Sequence, residues 1–231
     1  MTNVLVVDDD TRIIKLIEAG LRGKSYRVSA ATTGISALNA IARQTPDVVV
    51  LDVQMPDLTG LEVCERLRSN HDQSQLAVLF LSGGITTEDK IAAFEAGADD
   101  YLTKPFDLRE LEHRIKALLR RTNGNNGQSG QTELAVRNLR LNTKTFMAFV
   151  DDRGIQLTPV EYELLRYLMS RAGEVISAEQ LLQEVWNYYP GTGDPAVVRV
   201  QIMNLRDKIE EDRRAPTYIQ TVYRHGYMIA A

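Results

Sequence analysis

At 231 residues, 44% of them hydrophobic, the chain has an ordinary globular composition and the length of two domains. No apolar run reaches the roughly 18 residues of a membrane span, and the single cysteine, Cys64, excludes an internal disulfide and fits a reducing, cytoplasmic setting. The formal net charge is −4, with 15 Lys and Arg against 18 Asp and Glu up to Arg121 and 12 against 13 beyond it, so neither half binds nucleic acid by bulk charge. Met1-Thr2-Asn3-Val4 runs straight into a strand-like segment, which predicts no signal segment. No Cys/His spacing suggests zinc.

The first half alternates two periodicities. Residues 4–7 read as a strand and 12–22 as a helix, with Ile13, Leu16, Ile17 and Leu21 at helical spacing. A strand at 26–31 precedes a helix at 34–43 with Ile35, Leu38 and Ile41 inward. The continuous apolar run at 48–51 is that of a strand covered on both faces. A helix at 61–68, a strand at 77–81, a helix at 88–96 closed by Gly97 and a short strand at 100–102 follow. A long helix at 107–121 is opened by the pattern Asp107…Glu110, a capping box. Five strands alternating with five helices predict an α/β domain over 1–121, a doubly wound five-stranded parallel sheet.

Residues 122–132, TNGNNGQSGQT, contain no apolar side chain and read as a flexible linker. Short strands are expected at 133–136, 139–142, 145–150 and 154–156. Thr158-Pro159-Val160-Glu161 carries a cap, a first-position proline and a glutamate three residues on, which starts a helix. Ser177…Gln180 is a second capping box, and Pro195 opens a third helix running to about 210. Residues 218–222 and 226–229 read as a hairpin around Tyr223-Arg224-His225. Four strands, three helices and a terminal hairpin predict a winged helix-turn-helix α+β domain over 133–231.

Four strands of the first half end in groups suited to phosphoryl transfer: Asp8-Asp9-Asp10, Asp52, Ser82 and Lys104-Pro105. Open α/β sheets bind ligands at this edge. Crowded carboxylates at Asp8, Asp9 and Asp52 favour a hard cation such as Mg²⁺. With the cation, Asp52 has the chemistry of a nucleophile that forms an acyl phosphate. Lys104 and the Ser82 hydroxyl are suited to the phosphoryl oxygens.

Residues 1–121 resemble the receiver domain of a two-component response regulator. The resemblance rests on Val6-Val7-Asp8-Asp9, Asp52-Val53-Gln54-Met55-Pro56 with Gly60, Leu81-Ser82-Gly83, Gly97-Ala98-Asp99-Asp100-Tyr101 and Lys104-Pro105-Phe106. It implies that Asp52 accepts phosphate from a sensor histidine kinase. It also implies Mg²⁺ on Asp9, Asp52 and the Gln54 carbonyl, with Asp8 acting through water. Ser82 and Tyr101 become a switch pair, and Lys104-Pro105 is expected to be cis. Gly83 departs from the family, where a residue such as Ala is usual, and this leaves the phosphate lifetime open.

Residues 97–101 and the flanking helices resemble the dimer face of the OmpR/PhoB subfamily, which pairs on phosphorylation. The expected partners are Lys90 with Glu110 and Asp100 with Arg114, beside an apolar patch of Ile91 and Phe94. An ordinary solvated charged face is the alternative. Residues 133–231 resemble the winged-helix effector domain of that subfamily, on Leu157-Thr158-Pro159-Val160-Glu161, Ser177-Ala178-Glu179-Gln180, Val185-Trp186, Leu205-Arg206-Asp207-Lys208-Ile209 and Gly226-Tyr227.

The third helix of this domain is then the recognition helix, with Val198, Ile202, Leu205 and Ile209 on its buried stripe. Gln201 and Asn204 suit adenine, Arg199 guanine or phosphate, and Val200 a thymine methyl. Arg206 and Lys208 read as phosphate contacts, and Arg224 stands in for the wing arginine, shifted by one residue. Asp207 and Met203 occupy positions where Lys or Arg is common, which implies modest affinity that depends on dimerisation and salt. The DNA targets implied are tandem or paired half-sites. The loop at 187–194 is an RNA polymerase contact or a plain hinge, and Trp186 reads as core.

The leading reading is a transcription factor switched by aspartyl phosphorylation. It is not an enzyme beyond slow self-phosphorylation and self-hydrolysis. The alternative is a phospho-switched regulator whose effector domain binds a protein and meets DNA weakly or not at all. A phosphatase or flavodoxin-like enzyme fits less well, because no cap segment or separate substrate pocket is apparent. The kinase, signal, promoters and sign of regulation are not written in the sequence.

Overall fold

The computed structural model of the protein describes residues 1–83, 86–122 and 133–231. The chain divides into two compact units, Met1–Thr122 and Asn123–Ala231. From residue 123 on, the expected linker lies outside the described residues.

The first unit runs β1 (Thr2–Val7), α1 (Thr11–Leu21), β2 (Tyr26–Ala31), α2 (Gly34–Arg43), β3 (Val48–Asp52), α3 (Gly60–Ser69), β4 (Ala77–Ser82), α4 (Thr87–Glu95), β5 (Asp100–Thr103) and α5 (Leu108–Thr122). The sheet is parallel throughout, in the order β2-β1-β3-β4-β5. Strand order reverses beside β1, and the carboxyl ends of β1 and β3 meet at this switch point. Alternate residues serve alternate faces. Val4, Val6, Val48, Val50, Leu79 and Leu81 pack with α1 and α5 through Ile14, Ile17, Leu21, Leu111, Ile115 and Leu118. The intervening Leu5, Val7, Val49, Leu51, Val78 and Phe80 are buried on the other face. Burial on both faces is why these strands read as unbroken apolar runs.

Two inward assignments change. Leu16 is exposed because α1 meets the sheet through Ile14, Ile17 and Leu21, which turns Leu16 to the far side. Ile35 is exposed because α2 buries Gly34, Ala37 and Ile41. The start of α5 also differs. Asp107 accepts from the Arg109 N–H at 2.7 Å, and the Glu110 carboxylate is held by Arg114 instead of closing a capping box.

The second unit comprises β6 (Glu133–Val136), β7 (Leu139–Asn142), β8 (Met147–Val150), β9 (Arg153–Gln156), α6 (Pro159–Met169), α7 (Ala178–Glu184), α8 (Pro195–Ile209), β10 (Ile219–Val222) and β11 (Gly226–Ile229). The first four strands form an antiparallel sheet in sequence order, and β10–β11 form a hairpin. The Thr158–Glu161 capping box and Pro159 open α6 as expected. At α7, Ser177 accepts from the Gln180 N–H. The core gathers Trp186 with Leu164, Leu168, Val198, Ile202 and Leu205.

Two buried carboxylates, Glu161 and Glu210, fix the C-terminal end of α8. Glu161 accepts from the Thr158 N–H and takes Lys208 Nζ at 2.6 Å, tying α6 to α8. Glu210 accepts from the N–H groups of Thr217, Tyr218 and Ile219, which fixes the connection into β10. The hairpin is tied back by Tyr227 and Ile176, which exchange two backbone bonds of 2.9 Å. Gly226 makes this approach possible: its φ is +141°, and a Cβ there would lie 2.0 Å from the Ile176 carbonyl oxygen. Gly226→Ala is therefore expected to lower the stability of this unit by about 1–3 kcal/mol, read as a shifted urea midpoint.

Candidate functional site

The pocket lies where β1, β3, β4 and β5 end. Asp8 follows β1 and is fully buried, while Asp9 beside it is exposed. Asp52 closes β3 and is 5% exposed. Carboxylate oxygens of Asp8, Asp9 and Asp52 lie within 4.8 Å of one another. From the end of β5, Lys104 Nζ donates to Asp8 Oδ2 at 2.6 Å and to Asp52 Oδ1 at 2.9 Å. The Lys104 N–H donates to the Ser82 carbonyl at 2.7 Å, and the Lys104-Pro105 bond is cis. The turn after β1 is held by the Asp10 N–H on Asp8 Oδ1 at 2.9 Å. Asp10 is turned away from the cluster, because its carboxylate caps α1 and binds Arg12.

Burial pushes the Asp52 carboxyl above its ordinary pKa. The Lys104 ammonium opposes that rise, and the charges of Asp8 and Asp9 add to it. For Lys104, burial works against the ammonium, but its two carboxylate partners more than offset this and raise its pKa. Three clustered carboxylates facing one ammonium are a fitting donor set for a hard divalent cation such as Mg²⁺. Gln54, the fourth expected ligand, is exposed two residues beyond Asp52.

The expected switch pair is joined. Ser82 is buried, Tyr101 points inward at 5% exposure, and the two side chains are hydrogen-bonded. Burial raises the Tyr101 phenol, and the Ser82 bond opposes this. The expected dimer-face residues are placed differently. Asp100 is buried and binds Arg114 at 3.1 Å within the chain, and Arg114 also takes Glu110 at 2.6 Å. Phe94 is 1% exposed, packed inside the receiver, and offers no apolar patch in this structure. Lys90 and Ile91 are half-buried.

In the second unit, Val198, Ile202, Leu205 and Ile209 form the buried stripe of α8 as expected. The helix packs against both α6 and α7. Val200 and Gln201 are buried as well, which removes both from the expected base contacts in this structure. Arg206 donates to the Ile219 carbonyl at 2.6 Å and to Thr221 Oγ1 at 2.9 Å, and burial lowers its pKa. Its guanidinium therefore anchors the hairpin, as Lys208 anchors α6, and neither presents a free cation to phosphate. Arg199 is exposed, and Asn204 is half-buried. Arg224 sits at the hairpin tip with φ +62°, 5.2 Å from the ring centroid of exposed Tyr223. His225 Nδ1 lies 2.8 Å from the Tyr223 carbonyl, a turn contact.

Comparison with known proteins agrees with both halves. The family model of the response regulator receiver domain matches residues 4–116, and that of the transcriptional regulatory protein C terminus matches residues 152–229. The DNA-binding dual master transcriptional regulator RpaA of Synechocystis is 38% identical, over 99% of this chain and 95% of the relative. The alkaline phosphatase synthesis transcriptional regulatory protein PhoP of Bacillus subtilis is 38% identical, over 98% and 95%. Among solved structures, the response regulator DrrB of Thermotoga maritima, an OmpR/PhoB homologue, matches with a TM-score of 0.52 at 33% identity, over all of both chains.

The chain belongs to the OmpR/PhoB family of response regulators. It is a DNA-binding transcriptional regulator of the two-component type, and no helix among the described residues is long and apolar enough to cross a membrane. Gly60, which belongs to the Asp52 motif, opens α3 against the end of β3: a Cβ there would lie 2.1 Å from the Asp52 carbonyl oxygen. Two further features of this response regulator have no counterpart among the motifs. Arg68 of α3 donates to the carbonyls of Ser74, Leu76 and Gly97 and to the Asp99 carboxylate, tying β4 to the α4–β5 corner. Asp57 reaches from the β3–α3 loop to the start of α2, accepting from Gly34 at 2.8 Å and Ile35 at 2.9 Å. The Thr59…Glu62 box that opens α3 was legible locally. The Arg68 and Asp57 contacts cross to distant segments and leave no local signal.

Two expectations follow. Gly60→Ala must displace Asp52 or α3, and it is expected to cost about 1–3 kcal/mol and to slow phosphorylation of the receiver, measured by urea unfolding and phosphoprotein gels. The second concerns Asp57. The N–H of Ile35 and those of Leu58 and Gly34 hold its carboxyl at about 2, against opposing desolvation. A depressed folded pKa stabilises above the unfolded value, near 3.9, and that contribution is lost as pH falls through about 2. Asp57→Asn is thus expected to be less stable than the parent at neutral pH. Its deficit should close as pH drops from about 4 toward 2, followed by circular dichroism in urea.

Proposed function

We propose that Asp52 is the phosphoacceptor and that its phosphorylation switches this regulator between low and high occupancy of its promoters. The supporting observation is the contact of Lys104 with both Asp8 and Asp52, which places a cation between two buried carboxylates at the sheet edge. A sensor histidine kinase is the phosphate donor. An Asp52 carboxylate oxygen attacks the phosphorus of the phosphohistidine, the P–N bond breaks, and an acyl phosphate forms on Asp52. Asp9, Asp52 and the Gln54 carbonyl would hold Mg²⁺ directly, with Asp8 acting through water. When bound, the ion neutralises charge developing on the transferred group.

Lys104 exchanges its bond to Asp52 for one to a phosphoryl oxygen. Ser82 turns its hydroxyl to a second oxygen, and the inward Tyr101 ring follows it. Receiver pairing through the α4–β5–α5 face then sets two effector domains on adjacent half-sites. There Arg199 and Asn204 read the major groove, and Arg224 enters the minor groove. Contact of the 187–194 loop with RNA polymerase belongs to the same reading, as does a cytoplasmic location.

The test combines Asp52→Asn with acetyl phosphate and Mg²⁺. The parent is expected to gain one phosphoryl group by intact mass, and the variant none. Equal labelling of the variant would remove Asp52 from this role. Selection of genomic fragments by beryllofluoride-activated protein is expected to enrich half-sites about one helical turn apart.

A further inference from the structure

A phosphate contact on duplex DNA that releases a counterion needs an available cation. The effector half has 12 Lys and Arg against 13 Asp and Glu, so what matters is which cations on the α8 side are already taken. Arg206 is held by the hairpin, and Lys208 by Glu161. Arg199 projects from the second turn of α8 without a partner among the described residues. Two turns further along the same helix, at the i+8 position, stands Asp207, which is exposed.

Asp207 is engaged. Arg213 Nη1 donates to both of its carboxylate oxygens, at 2.8 and 3.2 Å. Arg213 comes from the connection between α8 and β10. That connection is fixed by Glu210, which binds the N–H groups of Thr217, Tyr218 and Ile219, and by the turn in which Ala215 N–H meets the Asp212 carbonyl. The neighbouring Asp212 carboxylate is turned to the Arg214 N–H. Asp207 is therefore the acid that takes the Arg213 guanidinium. The side chains remain 44% and 48% exposed. So exposed a pair adds little to folding, yet a carboxylate on a guanidinium occupies the same donors that a phosphate would.

We propose that Asp207 is an internal counter-ligand that competes with DNA phosphate for Arg213 and holds down the affinity of a single effector domain. This rests on the DNA reading of α8 and adds a determinant to it: a backbone phosphate must displace Asp207 before Arg213 contributes. Met203, one turn before Asp207, adds no cation to that stretch of the helix, where Arg206 and Lys208 are already held.

The experiment uses the full chain, activated with beryllofluoride, and a mixed-sequence duplex of about 30 base pairs, longer than the two turns that a dimer spans. Binding is measured from about 50 to about 200 mM salt. Asp207→Asn is expected to bind more tightly than the parent. The slope of log affinity against log salt should steepen by about 1.8, one phosphate contact from each of the two copies, so the loss of affinity across that range grows about 12-fold.

Arg213→Gln is expected to change little in the parent and to abolish the gain in the Asp207→Asn background. Asp207→Ser serves as a second substitution, with an unchanged melting midpoint as the control for folding. Unchanged or weaker binding by both Asp207 variants overturns the inference. So does an equal cost of Arg213→Gln in both backgrounds, because Asp207 would then act only as a diffuse charge. In either case the parent still binds and the DNA reading stands. No binding by any form overturns that reading and the inference together.

Discussion

The receiver depends on one ammonium shared between two strands. Lys104 Nζ lies within hydrogen-bond distance of Asp8 from β1 and Asp52 from β3, and both acids are buried. Buried carboxylates are costly unless paired, so the strand ends cannot be brought together without it. The same pairing leaves the pocket electrostatically unfinished. Three carboxylates meet one ammonium, and burial already pushes the Asp52 carboxyl upward. A divalent cation would complete the charge balance, and under the proposed function a phosphoryl group on Asp52 would draw Lys104 away from its acids. Fold and switch thus draw on the same few charges.

Packing around the pocket carries that constraint outward. Gly60 brings α3 against the Asp52 carbonyl, and Asp57 fastens the following loop to α2, so Asp52 cannot shift without moving two helices. On the other side, Lys104 follows β5, Tyr101 on β5 is hydrogen-bonded to Ser82, and the adjacent Asp100 is held by Arg114 of α5. Arg68 and Asp99 close the opposite end of the β4–β5 region. The pocket and the α4–β5–α5 surface are therefore built from neighbouring residues of the same strands. Charge redistribution at Lys104 has only a short distance to travel.

The pocket residues were legible in the sequence because each stands at or just past the end of a buried strand. An apolar run and its terminal Asp, Ser or Lys specify both location and chemistry. Helix rotation was less legible. Leu16 and Ile35 are apolar yet exposed, because Ile14, Ala37 and Gly34 decide the phase through close contact with the sheet and with Leu58. The recognition helix concealed more. Its buried stripe was plain, but the buried arc of α8 is wider than that stripe and includes Val200 and Gln201. Arg206 and Lys208 look like phosphate ligands until their partners are known, and those partners, Ile219 and Glu161, lie 13 and 47 residues away. Lateral pairing of Asp100 with Arg114 was anticipated, but the chain satisfies it internally.

The near-neutral effector half gains meaning from this charge arrangement. A domain that bound DNA tightly by itself would occupy its sites whatever the receiver did, and phosphorylation would add little. A ligand shifts an equilibrium only by its differential affinity. With Arg206, Lys208 and Arg213 all committed inside the domain, one copy offers few free cations near α8. With the receivers paired as proposed, occupancy would depend on holding two copies at adjacent half-sites, where the second contact forms at the effective concentration set by their linkage. Internal ion pairs that weaken a single copy would then give control of the promoter to the receiver.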